Sequence, residues 1–309
     1  MKEICPLCLN NKINNIEAIK SKNLMALYRS RKKIDVKKYF FGTDTIDLLE
    51  CVNCNLLYYS PVELGDGGFY DQLQKSKDYY IEDKEEYRIA SSFISSQDKV
   101  LEIGGGVGNL TKYLKTENYT GLEFSQDAIA CANKKGINMI GQSLESHSES
   151  NQEIYDIVCY FQVLEHISNP HEFINQSLKC LKKGGKLIFA VPSEDSYCGT
   201  VVNDYLNAPP HHATRWKDTT IESLAKIFDI KKIDIIHDQI HGVHESFYYR
   251  TLLFNKMRAL LNKGHKKYDL TTLSFFLYGT SYVLSPLYKY FSKKEQNIMG
   301  HSVIGVFEK

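Results

Sequence analysis

The sequence has almost no excess charge of either sign and no long uninterrupted apolar run. Its 309 residues include 38 Lys and Arg against 37 Asp and Glu, which gives a net charge of +1. This balance provides no overall field to attract nucleic acid or an anionic membrane. The most apolar stretch, 273–291, is interrupted by serine, threonine, glycine and proline, which argues against a membrane span. The opening residues lack the apolar region of a signal peptide, so we expect a cytoplasmic protein.

Cysteine is present, but not with the spacing of a disulfide framework. Four of the eight cysteines form two Cys-x-x-Cys pairs, Cys5 with Cys8 and Cys51 with Cys54. Each pair can supply two thiolates to one tetrahedral zinc ion, and four thiolates close its coordination shell. We therefore predict one structural zinc site. The alternative is four unrelated reduced cysteines.

From residue 99, short apolar runs alternate with amphipathic segments, as in strand–helix units around a parallel sheet. The first strand, 100–103, leads directly into a glycine-rich loop, 104–108, and a helix is predicted over 109–115. Glycines let a ligand approach the backbone, and the start of a helix offers N–H groups. Glu123 ends the second strand, where its carboxylate can accept hydrogen bonds from both ribose hydroxyls of an adenosine. A later helix, 170–181, is predicted to end in a glycine C-cap.

The segment from Glu102 to Gly108, Glu-Ile-Gly-Gly-Gly-Val-Gly, resembles the first motif of class I S-adenosylmethionine methyltransferases. Segments 155–158, 161–167 and 181–188 resemble later motifs of the same family, in the family's order. The loop spacing differs from the Gly-x-Gly-x-x-Gly of dinucleotide oxidoreductases. The resemblance implies S-adenosylmethionine as cofactor. The cofactor-binding residues that it implies are Glu102, Gly104, Gly106, Gly108, Glu123, Gln142, Ser143 and Phe161.

The resemblance covers about residues 85–309 and implies an α/β architecture. We expect a Rossmann-like seven-stranded sheet whose last two strands form an antiparallel hairpin. The predicted domains are a zinc-binding domain over 1–62, a Tyr-rich linker over 63–84 and a methyltransferase domain over 85–309. A helical insertion, 246–292, falls between strands six and seven. It would lie over the carboxyl edge of the sheet, where ligands bind in such folds.

The cysteine pairs and the segment Ala208–Trp216 together resemble a subgroup that includes deoxysugar and surface-polysaccharide methyltransferases. His166 directly follows the fourth strand, and His is the natural base near neutral pH, so we predict His166 as the catalytic base. Glu165 lies beside it, while His211 and His212 are competing bases or sugar-binding groups. The residues predicted to contact the substrate are Tyr79, Tyr80 and Arg215.

The predicted function is O-methylation of a sugar, either nucleotide-linked or in a surface glycan. One alternative is a lipid or quinone acceptor, with the apolar insertion in contact with a membrane. Another is an RNA methyltransferase that holds RNA through the zinc domain, although RNA binding usually leaves a basic footprint that this chain lacks. A degenerate binding module is disfavoured because both Glu102 and Glu123 are retained. The sequence does not specify the oligomeric state.

Overall fold

A computed structural model describes residues 3–74, 83–240, 243–264, 266–292 and 298–309. Within these ranges the strands are β1 (Ile13–Lys20), β2 (Thr45–Cys51), β3 (Leu57–Ser60), β4 (Val100–Ile103), β5 (Tyr119–Leu122), β6 (Met139–Ile140), β7 (Tyr155–Phe161), β8 (Leu181–Pro192), β9 (Thr214–Arg215), β10 (Lys231–Gln239) and β11 (Met299–Glu308). The α-helices are α1 (Ser21–Lys32), α2 (Gly67–Gln74), α3 (Glu85–Ser91), α4 (Gln126–Lys134), α5 (Leu144–Ser150), α6 (Pro170–Cys180), α7 (Asp218–Ile227), α8 (Val243–Leu260) and α9 (Thr272–Phe291).

The larger sheet has seven strands in the order β10-β11-β8-β7-β4-β5-β6. Strands β4 to β8 are parallel, while β11 runs antiparallel to both β8 and β10. All four residues of the central strand β4 are buried, because elements cover both faces of such a sheet. This arrangement confirms the predicted fold class. From β4 the successive strands β5 and β6 are added on one side, and β7 and β8 are added on the other. The carboxyl ends of β4 and β7 therefore border the crevice where such folds bind ligands.

The smaller sheet joins the N-terminal segment to a distant part of the chain. Its order is β1-β2-β3-β9, and every neighbouring pair is antiparallel. In the last pair, Leu57 is opposite Arg215 and Tyr58 is opposite Thr214. The cysteine pairs also share one apolar cluster with Trp216 and with residues of β7 and β8. The N-terminal segment is therefore packed against residues 207–216, which we call the histidine segment.

Helices α8 and α9 form the helical insertion between β10 and β11. Val202, Phe254 and Leu277 form a small apolar cluster beneath it. The outer side of α9 is apolar and exposed; Phe276 is 69% and Val283 is 73% exposed. Among the described residues, no helix is both long and apolar enough to cross a membrane.

Two local predictions differ from the structure. The helix expected over 109–115 is a 3-10 turn over Asn109–Tyr113, in which the Thr111 hydroxyl donates to the Gly108 carbonyl and competes with α-helical bonding. Helix α6 ends at Cys180 without a glycine C-cap, because the next residue is already extended and begins β8. The glycines instead pair with the end of the chain, where Gly184 N–H donates to the Lys309 carbonyl.

A buried ionic cluster connects β8, β9 and the insertion. Glu194 follows β8, and its carboxylate lies 2.7 Å from the guanidinium of Arg215 and also contacts the ammonium of Lys267. All three side chains are almost completely buried. Burial by itself would raise the pKa of Glu194, but the two cations hold that pKa below its ordinary value. The cluster therefore depends on a charged carboxylate at this position.

We predict that Glu194→Gln destabilises the protein by about 3–5 kcal/mol, because it leaves two buried cations without their counter-charge. Denaturant unfolding should measure this loss. Glu172→Gln is the control, since the exposed pair between Glu172 and Lys179 should be worth only about 0–1 kcal/mol. Equal losses in the two variants would contradict the prediction.

Candidate functional site

The glycine loop lies at the carboxyl end of β4. Gly104, Gly106 and Gly108 have φ of 72°, 55° and 78°, a left-handed region that other residues rarely adopt. A Cβ on Gly104 would also lie only 2.7 Å from Val163 Cγ2. Around Gly106, in contrast, the space where a Cβ would lie is open. The loop thus requires glycine and exposes backbone to a ligand beside β4.

Glu123 is bound to this loop and to its own turn. Its Oε2 accepts a hydrogen bond from Gly106 N–H at 2.9 Å. Its Oε1 accepts from Phe124 N–H at 2.8 Å and from Ser125 N–H at 2.9 Å. A carboxylate offers roughly four lone-pair positions. Binding both ribose hydroxyls would therefore displace at least one of these backbone donors.

The other predicted cofactor residues surround the same crevice. Glu102 is buried in β4 and accepts a hydrogen bond from the Tyr119 hydroxyl, and burial raises the pKa of this carboxyl to about 8. Gln142 donates to the Ser146 hydroxyl at 3.1 Å, and its Oε1 lies 2.9 Å from His147 Nδ1. Two further predicted positions are the helix cap Ser143 on α5 and the buried Phe161 at the end of β7.

Three histidines meet at the carboxyl side of β7. His166 lies in a 3-10 turn after that strand, and His211 and His212 belong to the histidine segment. Their ring centroids are 4.4–4.7 Å apart. One ring nitrogen of each histidine lies within 4.8 Å of the other two. The structure thus brings together the predicted base and its two predicted competitors.

The hydrogen-bond partners of the rings define their tautomers. The Nδ1 atom of His166 lies 2.7 Å from the His211 carbonyl, and that of His211 lies 2.7 Å from the Leu206 carbonyl. The Nδ1 atom of His212 lies 3.0 Å from Asn207 Oδ1. A carbonyl oxygen can only accept, so each Nδ1 carries hydrogen and each Nε2 of a neutral ring carries the lone pair. Burial lowers the pKa of all three rings, that of His166 to about 4.

Glu165 is a buried carboxyl beside these rings. It is 1% exposed, and its Oε1 lies 3.8 Å from His166 Nε2. Neither of its oxygens has a hydrogen-bond partner among the described residues. Burial raises the pKa of Glu165 to about 8. A carboxylate so placed is costly unless a cation or a hydrogen-bond donor lies beside it.

Sequence reasoning missed several polar residues next to this cluster. The Tyr70 hydroxyl lies 3.2 Å from His166 Nδ1. Gln162 donates to Glu86 Oε2 at 3.3 Å and to the Ser302 hydroxyl at 3.1 Å. Glu86 is 4% exposed, and its other carboxylate oxygen forms no hydrogen bond within the described ranges but lies 3.5 Å from the Lys84 ammonium. In the sequence, only the Tyr-rich stretch pointed to Tyr70, and only the fourth-strand motif pointed to Gln162.

The residues predicted to contact substrate are only partly described. Tyr79 and Tyr80 lie outside the described residues. Arg215 is buried, and its guanidinium contacts Glu194, the Tyr59 hydroxyl and the Asn207 carbonyl. These contacts give Arg215 a structural role, while its contact with an acceptor stays a prediction.

The four paired cysteines converge at one point. The Sγ atoms of Cys5 and Cys54 are 3.6 Å apart, those of Cys8 and Cys51 are 3.4 Å apart, and all four lie within 4.8 Å of one another. A disulfide would need about 2.05 Å. Four thiolates around a tetrahedral zinc ion at about 2.3 Å would be about 3.8 Å apart. The observed spacing therefore fits a tetrahedral ion.

Comparison with known proteins is consistent with this geometry. Residues 78–231 match a protein family described as a methyltransferase domain. The ubiquinone biosynthesis O-methyltransferase of Erwinia tasmaniensis is 29% identical over 106 residues, which cover 32% of this chain and 44% of that protein. The protein of the same name from Hydrogenovibrio crunogenus is 31% identical over 107 residues, with the same two coverages. The chain thus spans less than half the length of these relatives.

Solved structures show the same fold. The crystal structure of a SAM-dependent methyltransferase from Archaeoglobus fulgidus superposes with a TM-score of 0.50 and 16% sequence identity. The superposition covers 79% of this chain and 100% of that protein. At this identity the likeness concerns the fold.

We predict that Glu123→Ala weakens S-adenosylmethionine binding by about 10- to 150-fold. The variant loses the net equivalent of one charged hydrogen bond, about 1.5–3 kcal/mol, since ribose binding would also displace a backbone donor from Glu123; 1.4 kcal/mol corresponds to a factor of ten. Isothermal titration calorimetry should measure the change. Glu145→Ala, which removes an exposed carboxylate on α5, should bind as the wild type does. Unchanged affinity in Glu123→Ala would remove Glu123 from the cofactor site.

Proposed function

We propose that this chain, which contains a class I S-adenosylmethionine-dependent methyltransferase domain, O-methylates a hydroxyl group of a sugar. The acceptor would be a nucleotide-linked sugar or part of a surface glycan. The observation that carries the proposal is the cluster of His166, His211, His212 and Glu165, in which lone-pair nitrogens adjoin a buried carboxyl that forms no hydrogen bond with the described residues. Hydroxyl groups are the hydrogen-bond donors that such a cluster needs.

The donor half of the site suits S-adenosylmethionine. The glycine loop presents open backbone beside Gly106, and Glu123 offers a carboxylate at the end of β5. The cofactor would supply an electrophilic methyl group that carries its own leaving group. The task of the protein is then to align the acceptor oxygen and to remove its proton.

We assign proton removal to His166. Because its Nδ1 donates to the His211 carbonyl, its Nε2 has the lone pair that a base requires. As the new oxygen–carbon bond forms and the carbon–sulfur bond breaks, the hydroxyl proton passes to Nε2. The nearby Glu165 carboxylate would stabilise the imidazolium that results. His211 and His212 would hold the acceptor.

A sugar suits this site because it carries several hydroxyl donors. Both oxygens of Glu165 and one oxygen of Glu86 are buried and form no hydrogen bond within the described part of the chain, although the Glu86 oxygen lies 3.5 Å from the Lys84 ammonium. A buried acceptor without a partner costs about 1–3 kcal/mol, which a bound donor would recover. A polyhydroxylated ligand could satisfy several of these atoms together.

A quinol is the second candidate acceptor, and two observations favour it. The relatives compared above are named for ubiquinone biosynthesis. The exposed apolar side of α9 would suit contact with a membrane that holds such a lipid-soluble molecule. A quinol would use the same donor site and the same base, so the two candidates differ in what surrounds the reacting hydroxyl.

Mass spectrometry tests the acceptor. Purified protein is incubated with S-adenosylmethionine and either a panel of nucleotide-linked sugars or a prenylated dihydroxybenzene. A gain of one methyl group by a sugar supports the proposal. Methylation of the dihydroxybenzene alone would overturn the sugar assignment in favour of the quinol.

We also propose that Cys5, Cys8, Cys51 and Cys54 hold one structural zinc ion. The support is the convergence of their four Sγ atoms at tetrahedral spacing. Four thiolates would leave no position for water or substrate, so the ion would stabilise the fold and take no part in the reaction.

We predict that His166→Gln lowers turnover by about 10²–10⁴-fold, the usual contribution of a positioned base. Affinity for S-adenosylmethionine should stay unchanged, because His166 would meet only the acceptor. Steady-state kinetics and calorimetry measure the two effects. His171→Gln is the matched control, since its Nδ1 also lies 2.7 Å from a carbonyl, that of Leu7, outside the cluster. Full turnover in His166→Gln would move the base elsewhere.

We predict that protein purified without chelator contains one zinc ion bound by the cysteines, and that Cys51→Ser loses it. Because β3 pairs with β9, loss of this ion should disturb the histidine segment and reduce turnover more than cofactor affinity. Elemental analysis, kinetics and calorimetry measure the three quantities. Cys131→Ser, outside the cluster, should retain the ion. Wild-type protein without any stoichiometric metal would contradict the proposal.

A further inference from the structure

The histidine cluster contains more lone-pair nitrogens than the removal of one proton requires. His166 alone would serve as a base, yet His211 and His212 bring two further rings into contact with it. All three share one feature, an Nδ1 atom beside a carbonyl oxygen. Histidines that bind metals through Nε2 are commonly oriented by this contact, which fixes the tautomer and makes the ligand more basic.

The spacing of the rings also suits one ion. One nitrogen of each ring lies within 4.8 Å of the other two. Three imidazoles around a tetrahedral ion at 2.0–2.1 Å would have nitrogens about 3.4 Å apart. Binding would draw the nitrogens together and rotate His211 and His212 out of their present stacked arrangement, in which the ring planes are 20° apart, so that both lone pairs point to the ion. The buried carboxyl of Glu165 lies beside the cluster and would supply negative charge to a cation there.

We propose that His166, His211 and His212 form a second metal site, which binds a divalent transition-metal ion through three imidazole nitrogens. Three protein ligands leave a fourth position open, as in catalytic zinc sites. The inference rests on the proposed function, because the acceptor hydroxyl would occupy that position. Ligation uses the same Nε2 lone pair as proton transfer. In the metal-bound protein the ion would therefore polarise the hydroxyl, and the neighbouring Glu165 carboxylate would accept its proton in place of His166.

The two metal sites differ in ligand chemistry and can be told apart. The cysteine site offers four soft thiolates, and the histidine site offers three imidazoles. Cobalt(II) bound by thiolates has intense charge-transfer absorption in the near ultraviolet. Cobalt(II) bound by imidazoles has only weaker bands in the visible region.

The test is a cobalt(II) titration of the full chain with zinc retained in the cysteine site. We expect one further equivalent of cobalt(II) to bind, with visible bands and without thiolate charge transfer. His212→Ala and His166→Gln should each weaken this binding at least about tenfold, through the loss of one of three ligands. His171→Gln should bind as the wild type does. Thermal melting of each variant shows whether it is folded.

Wild-type protein that binds no cobalt(II) beyond its cysteine site would overturn the inference, as would unchanged binding in folded His212→Ala or His166→Gln. If His212→Ala does not fold, His166→Gln and the wild-type spectrum decide. Failure of the proposed function is separate. A sugar methylated by protein that binds no second ion would leave that function intact and remove the metal site. If the imidazoles bind cobalt(II) but no sugar is methylated, the metal site would stand and the sugar assignment would fall.

Discussion

The antiparallel pairing of β3 with β9 is the constraint on which the histidine segment, and with it the proposed acceptor side of the structure, depends. The two strands share only two residue pairs, yet they fix the end of the histidine segment. Further bonds reinforce them, because the Tyr59 hydroxyl donates to the Asn207 carbonyl and Tyr59 N–H donates to the Ala213 carbonyl. The N-terminal sheet therefore helps to position the histidine segment. A separate module tethered to the catalytic domain would make none of these contacts.

Burial of polar groups divides the site into two halves. On the donor side, Glu123 is partly exposed and its oxygens accept three backbone N–H groups, so the carboxylate is stabilised before any ligand binds. On the proposed acceptor side, Glu165 is buried beside three imidazoles and forms no side-chain hydrogen bond with the described residues. The carboxylate at the proposed cofactor site thus has its hydrogen bonds satisfied, while the carboxyl at the proposed acceptor site does not. An unsatisfied buried carboxyl is costly, and such costs are commonly retained where a ligand offsets them.

The sequence predicted the parts of the fold that local pattern controls. Apolar runs and the glycine loop identify β4 to β8, because burial on both faces leaves a signal within each strand. The cysteine spacing likewise predicted a cluster that the four Sγ atoms form. The pairing of β9 left no such signal, since two residues have no periodicity and their partner lies far away in sequence. Glu86 was missed for the same reason, because its burial depends on contacts with Gln162 from another element.

The same division explains why the acceptor is harder to infer than the cofactor. Cofactor contacts come from one strand, one loop and the next strand, so a short motif contains them. The proposed acceptor contacts come from the turn after β7, the histidine segment and α3, which meet only in the folded chain. The histidine segment is in turn held by the N-terminal sheet. A change in that sheet would therefore alter the proposed acceptor site without altering the glycine loop, and acceptor specificity would vary on a constant cofactor-binding fold.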